Sequence, residues 1–383
     1  MSSILLIGLG DLGSLVLELL AREPHVERIV VGSRDRERAI ARCNLARLGA
    51  LAQGYEPSIE FSEIDLAELD WTCKTIERFA PDLILSTASM LTWWIPDLLP
   101  AQQAARLKRA KFGVWLPVHL APTLRLMEAV REVGYRGHTL IAPYPDVVNC
   151  ILGRLGLAPT CGVGNIDEIV PKLRLLAAER LGVVPRAVDV TLVAHHALER
   201  FAFSGADADT PPYFLRIEQE GFDVTRDVRA EQLLLTPYPL PPGRTTHFLT
   251  AGSVVRLVKA LLSDEETFLH APGPCGWPGG YPVIAGRAGV RPAPIPSLSP
   301  QEAIAINERS HWFDGIERIE EDGGVVFDPE AAAVLHETLG YLGRRLAPDE
   351  AADRAHELVA RMVEYASKHG VRIEQRAARG PHP

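Results

Sequence analysis

Apolar residues 4–7 lead into Gly8-Leu9-Gly10-Asp11-Leu12-Gly13, after which Leu12, Leu15, Val16, Leu19 and Leu20 repeat at the spacing of one helix face. A buried strand, a tight turn and a helix packed on a sheet are therefore expected. Residues 28–31 and 59–64 read as further short strands, 73–79 as a helix, and 82–89 as a strand that runs out into Thr87, Ala88 and Ser89. A helical stripe at 120–133 and a strand at 139–142 close this half. Strands alternating with helices at these lengths predict a doubly wound parallel sheet, an α/β fold, over residues 1–148. Residues 149–345 predict a mixed α+β second domain, and 346–383 a helical extension covering a domain or an interface.

The glycine spacing adds chemistry to that pattern. In a G-x-G-x-x-G turn the first glycine allows the bend, the second admits a pyrophosphate to the backbone, and the third lets helix and strand pack closely. Gly8, Gly10, Asp11, Leu12 and Gly13 are thus candidate dinucleotide-binding residues, with the helix N-terminus facing the phosphates. Thr87, Ala88 and Ser89 join them, because small residues at that strand end leave room for ribose and nicotinamide. Ser33 and Arg34 stand where an NAD enzyme carries an acidic ribose ligand, so a 2′-phosphate is favoured and NADP(H) is the expected cofactor. NAD(H) stays open, since Asp35 or Glu37 could still meet a ribose.

Composition narrows the partners. The chain has 383 residues, 47% hydrophobic and 23% charged, with net charge −9 and no basic cluster beyond 34–42, which argues against nucleic acid. No apolar stretch is long enough to span a bilayer and no leader is recognisable, so a cytoplasmic protein acting on a small molecule, with no membrane partner, is expected. Five scattered cysteines without a C-x-x-C suggest buried thiols, and no metal site is expected. Residues 90–100, with Trp93 and Trp94, form either a substrate lid or a packing surface. Residues 273–281 are either a pocket wall or a plain turn.

From Tyr144-Pro145-Asp146-Val147-Val148-Asn149 and Gly162-Val163-Gly164-Asn165-Ile166-Asp167 onward, the chain resembles the lactate/malate dehydrogenase superfamily. Ile166-Asp167 stands at that family's Leu-Asp position, 169–181 at its helix, and 188–193 at the strand that ends in Ala194-His195-His196. Residues 247–262 and 266–270, with Tyr281-Pro282-Val283 and Gly289-Val290, resemble its long helix, returning strand and hairpin. The resemblance implies hydride transfer at a hydroxyl or oxo carbon and a homodimer or homotetramer. It also implies His196 as the acid/base and Asp167 as the carboxylate that orients it. Imidazole suits the proton step because it titrates near neutrality. Strand alternation turns His195 to the opposite face, so only one of the two imidazoles is expected to face the nicotinamide.

Departures from the family bear on the substrate. Val170 stands where the family grips a carboxylate with arginine, Tyr144 stands at its asparagine, and Lys172 or Arg174 could substitute for the missing grip. Tyr144, Asn149, Lys172 and Thr246 are the candidate substrate-binding residues. The first half, through residues 24–31 and Ser33-Arg34-Asp35, resembles the NADP-binding domain of saccharopine dehydrogenases and related opine-forming reductases, which implies imine reduction as an alternative. A dinucleotide sensor without turnover is a third possibility.

Overall fold

The computed structural model describes residues 2–205, 209–241, 243–341 and 343–373. Six parallel strands form the main sheet: β1 (Ser3–Ile7), β2 (Arg28–Ser33), β3 (Ser58–Glu63), β4 (Leu83–Ser86), β5 (His138–Ile141) and β6 (Cys161–Gly162). They lie in the order β3-β2-β1-β4-β5-β6, so the winding reverses between β1 and β4 and opens a crevice at their C-terminal ends. Helices α1 (Asp11–Leu20), α2 (Arg36–Leu51), α3 (Leu69–Phe79), α4 (Ala101–Lys108), α5 (Leu116–Glu132) and α6 (Pro145–Arg154) connect them. Ile4, Leu5, Leu6, Leu83, Ile84 and Leu85 are fully buried, as strands covered on both faces require.

The sheet does not close at the strand expected over 139–142, because β6 follows α6 and pairs with β5 through Leu140–Cys161 and Ile141–Gly162. After it come α7 (Ile166–Leu181), β7 (Val188–Val193), α8 (Ala197–Ser204), β8 (Phe214–Gln219), β9 (Phe222–Asp223), α9 (Ala230–Leu235) and α10 (His247–Leu262). Then β10 (Thr267–Pro272), β11 (Gly280–Gly286) and β12 (Gly289–Pro292) form an antiparallel sheet, and α11 (Pro300–Ser310) precedes a turn at His311–Asp314. A small sheet of β13 (Ile316–Ile319), β14 (Val325–Phe327) and β15 (Arg345–Leu346) brackets α12 (Pro329–Leu339), and α13 (Ala351–Lys368) ends the described chain.

α13 buries Ala355, Leu358, Met362 and Ala366 in the same apolar cluster as Leu120 and Met127 of α5. The C-terminal segment therefore covers the first sheet's outer helices, one of the two roles expected of it. Residue 342 and residues 374–383 of the extension lie outside the described residues. No helix among the described residues is long and apolar enough to cross a membrane.

Candidate active site

The glycine turn has the geometry that its spacing requires. Gly8 sits at φ +92°, and a Cβ there would come within 2.9 Å of the Ala88 nitrogen; on Gly13 it would lie 2.2 Å from the Gly8 carbonyl oxygen. A Cβ on Gly10 would meet nothing within 4 Å, which leaves the approach to the backbone open. Gly10 caps α1 without a side-chain bond, so the first N–H groups of that helix face the crevice unpaired by a cap. Thr87 Oγ1 donates to the Gly8 carbonyl at 3.0 Å and ties the end of β4 to the turn. These residues fit a dinucleotide.

Ser33 ends β2, where its hydroxyl accepts from the Asp35 N–H at 3.2 Å. Asp35 in turn caps α2 by accepting from the Arg38 N–H, while Arg34 stays 44% exposed beside Asp65. Across the crevice, Trp93 Nε1 donates to His247 Nε2 at 3.0 Å, joining the loop after β4 to the start of α10. Arg244 stands 3.8 Å from Asp11, and Thr246 bonds the Gly243 carbonyl. Thr246 thus borders the turn region, while its hydroxyl serves the local chain.

At the junction of the two halves, Asp314 Oδ2 is the hub of a buried polar cluster. Tyr144 Oη donates to it at 2.6 Å, His196 Nε2 pairs with it at 2.9 Å, and His195 Nδ1 stands at 3.7 Å. Tyr144 holds φ +49° at the N-cap of α6, a costly conformation for an aromatic residue. Its bond to Asp314 and its ring contacts with Phe112, at 4.8 Å, and His196, at 5.1 Å, keep it there. Asp146 Oδ1 accepts from the His196 backbone N–H at 2.8 Å, and its other oxygen accepts from the Asn165 amide. His119 completes the ring of groups, with Nδ1 on Ser89 Oγ at 2.9 Å and its face stacked on Phe112.

Electrostatics set the protonation of this cluster. Burial alone would lower His196, but Asp314, then Asp146 and Glu199, carry it up to about 9. Burial would raise Asp314, yet His196, His195 and the Tyr144 hydrogen bond hold it at about 2. His195 is pushed well below its ordinary value, chiefly by burial. Burial, reinforced by His196, takes His119 down to about 3. Glu199 rises to about 7 because burial outweighs the attraction of His196. Near neutrality the cluster therefore holds one charged imidazole, His196, among neutral ones.

Several expectations are corrected by this arrangement. Asp167 does not orient His196: it accepts from Arg256 Nη1 at 3.1 Å, and burial, opposed by Arg256, raises it to about 6. Its place in the first turn of α7 points it at α10, and Asp314 takes the orienting position instead. His195 does not turn to the opposite face; its ring stacks on His196 at 5.3 Å. β7 ends at Val193 and His196 is already helical at φ −56°, ψ −26°, so strand alternation no longer applies.

Lys172 is no substrate ligand either, since its buried amine donates to the carbonyls of Ala202, Leu234 and Thr236. Asn149 is fully buried in α6 and donates to the Gly273 carbonyl, so the turn that begins residues 273–281 packs on that helix before β11 starts at Gly280. Of the substrate candidates, Tyr144 alone reaches the cluster at Asp314. Sequence reasoning missed Asp314, Asp146 and His119. The first comes to Tyr144 from 170 residues away, a closure that no local pattern marks.

No protein-family model and no curated sequence matches the chain. Solved structures do. A malate dehydrogenase from Plasmodium falciparum in complex with NADH superposes with a TM-score of 0.54 at 13% identity, over 82% of this chain and 96% of that one. The fold is that of the lactate and malate dehydrogenases. A minor L-lactate dehydrogenase from Enterococcus mundtii gives 0.55 at 18% identity, over 81% of this chain and 95% of that one. A lactate dehydrogenase from Eimeria maxima with NADH and oxamate gives 0.56 at 14% identity, over 81% of this chain and 91% of that one.

Proposed function

We propose that the protein is a nicotinamide-dinucleotide-dependent oxidoreductase that moves hydride to or from a hydroxyl or oxo carbon of a small polar metabolite. The observation that carries this reading is the His196–Asp314 pair at 2.9 Å, tied through Tyr144 at the start of α6 to the sheet whose glycine turn fits a dinucleotide. When bound, the dinucleotide supplies or takes the hydride. The chain's own part is the proton: His196, charged near neutrality, donates to the substrate oxygen on reduction and takes the proton back on oxidation. Asp314 stabilises the charged imidazole, and Tyr144, bonded to the same carboxylate, fixes its orientation.

NADP(H) is the preferred cofactor in this reading. Ser33 supplies no carboxylate at the ribose position, Asp35 is engaged in capping α2, and the half-exposed Arg34, held by Asp65 at 4.0 Å, is placed to meet a 2′-phosphate. The NADH in two of the similar structures leaves NAD(H) as the alternative.

The second reading, imine reduction of the opine or saccharopine type, is favoured by the acidic surroundings of His196. Asp146 and Glu199 both act on the imidazole, and the position of a carboxylate-gripping arginine holds the buried Val170. An amine-bearing substrate suits such a site. We place the enzyme in the cytoplasm, a setting suited to its five free thiols. We also propose a homo-oligomer, because Leu45, Leu48 and Leu51 leave an apolar stripe of α2 exposed.

An assay of NADPH and NADH oxidation across oxo acids and neutral carbonyls, with and without added amines, tests the reading. Turnover without amine supports carbonyl reduction, and turnover only with amine supports imine reduction. Dinucleotide binding with silence across the panel would leave a sensor, and no dinucleotide binding would end all three.

A further inference from the structure

His119 has no part in the fold that accounts for both of its nitrogens. It lies in the first half of α5 with 5% of its surface exposed, facing the cluster of Tyr144, Phe112 and His196. The Tyr144 ring is 6.2 Å away and the charge of His196 is felt at the imidazole.

Counting hydrogens fixes its tautomer. Ser89 has one hydroxyl hydrogen, and the closer of its two carbonyl acceptors, Leu91 at 2.7 Å, takes it. The 2.9 Å contact with His119 Nδ1 then needs the proton on the imidazole, so Nδ1–H donates to Ser89. Nε2 is left as a lone-pair acceptor, and it has no hydrogen-bond partner although it is buried. Leaving such an acceptor bare is unfavourable unless a ligand or an ordered water supplies the donor.

We propose that His119 Nε2 accepts a hydrogen bond from the substrate, from a hydroxyl or protonated amine on the carbon next to the one that His196 serves. This rests on the oxidoreductase reading and adds the substrate class: an α-hydroxy or α-amino carbonyl compound rather than a simple 2-oxo acid. The backbone of Ser89 continues from β4, beside the expected nicotinamide position, and His119 on α5 and His196 at the start of α8 reach the same Phe112 and Tyr144 rings from different elements. A site built around a buried acceptor discriminates strongly against analogues that lack the donor. Val170, buried in place of a carboxylate-gripping arginine, removes the anchor that a 2-oxo acid would use.

The test combines kinetics with nitrogen NMR on the full-length protein. Hydroxyacetone and aminoacetone should be reduced with kcat/KM at least about ten-fold above acetone and pyruvate, and the better of the two names the donor. His119→Phe, which keeps the stack on Phe112, should bring the four compounds within about three-fold of each other while dinucleotide affinity holds. His119→Gln, which restores an acceptor, should recover part of the preference. Equal use of hydroxyacetone, aminoacetone, acetone and pyruvate by the unaltered protein would overturn the proposal, as would an unchanged preference in His119→Phe.

Should no carbonyl be turned over, the oxidoreductase reading fails first, and ¹⁵N-histidine spectra still judge His119. They should show a neutral Nδ1–H tautomer whose Nε2 resonance moves toward the hydrogen-bonded range when hydroxyacetone or aminoacetone is added to the dinucleotide-loaded protein. An Nε2–H tautomer, or no movement with either compound, refutes the assignment.

Discussion

Asp314 Oδ2 stands 2.9 Å from His196 Nε2, so the carboxylate that charges the imidazole comes from the turn after α11 and not from the helix that follows β6. The turn is held in place from two sides. Lys111 bonds both the Trp312 carbonyl and Asp328, and Gly113 lies so close that a Cβ there would come within 2.6 Å of the Asp314 carbonyl oxygen.

Asp314→Asn should drop the His196 pKa from about 9 to below 7, read by NMR titration, while Asp167→Asn should leave it in place. The pair also carries stability. Because His196 is raised in the folded protein, its contribution is complete below about 6.5 and is lost as pH rises through 9. Because Asp314 is lowered, its share is complete above about 3.8 and is lost as pH falls through 2. Asp314→Asn should therefore cost most between pH 4 and 6.5, about 3 kcal/mol for a buried pair, and much less above pH 9. A loss that is flat across this range contradicts the pairing.

Lys172→Met should lower the thermal midpoint without changing dinucleotide affinity. Its amine closes the carbonyl ends of α8 and α9, and removing it leaves two buried acceptors, Ala202 and Leu234, bare, a cost of about 3 kcal/mol. A normal midpoint combined with a raised KM would return Lys172 to the substrate site.

The three fingerprint glycines should separate. Gly13→Ala puts a methyl 2.2 Å from the Gly8 carbonyl and should destabilise the fold. Gly10→Val meets open space in the free protein, so its melting temperature should stay near that of the parent while dinucleotide affinity drops at least about ten-fold. Equal dinucleotide affinity in Gly10→Val would remove the pyrophosphate from this turn.

Trp93 should report acid opening of the crevice. An indole N–H only donates, so His247 must be neutral at Nε2, and protonating it breaks the bond. Burial lowers His247, opposed by Asp11, so the break falls below pH 6.5. Trp emission should change on acidification below that point, and Trp93→Phe should lose the change. The same transition in Trp93→Phe would assign it elsewhere.

The first half of the fold was legible because its elements are local. Residues 4–13 carry strand, turn and helix in one stretch, and β7 and α10 match the spans expected at 188–193 and 247–262. Of the candidate site, sequence pattern marks only what one element carries, the glycine turn and His196. Its other parts depend on closures that periodicity does not encode: Tyr144 to Asp314, Ser89 to His119, and Trp93 to His247. Asp167 misled because it stands at the family's position in sequence, yet Arg256 on α10 takes its charge. His195 misled because the strand rule was carried past the end of β7.

The most direct test of the central claim is dinucleotide oxidation by the unaltered protein and by His196→Ala, with hydroxyacetone, aminoacetone, pyruvate and oxaloacetate as acceptors and dinucleotide affinity measured in parallel. Turnover of at least one acceptor should fall at least about 100-fold in His196→Ala, with dinucleotide affinity within about two-fold of the parent. Undiminished turnover in His196→Ala, or a parent protein that binds neither NADPH nor NADH, contradicts the account.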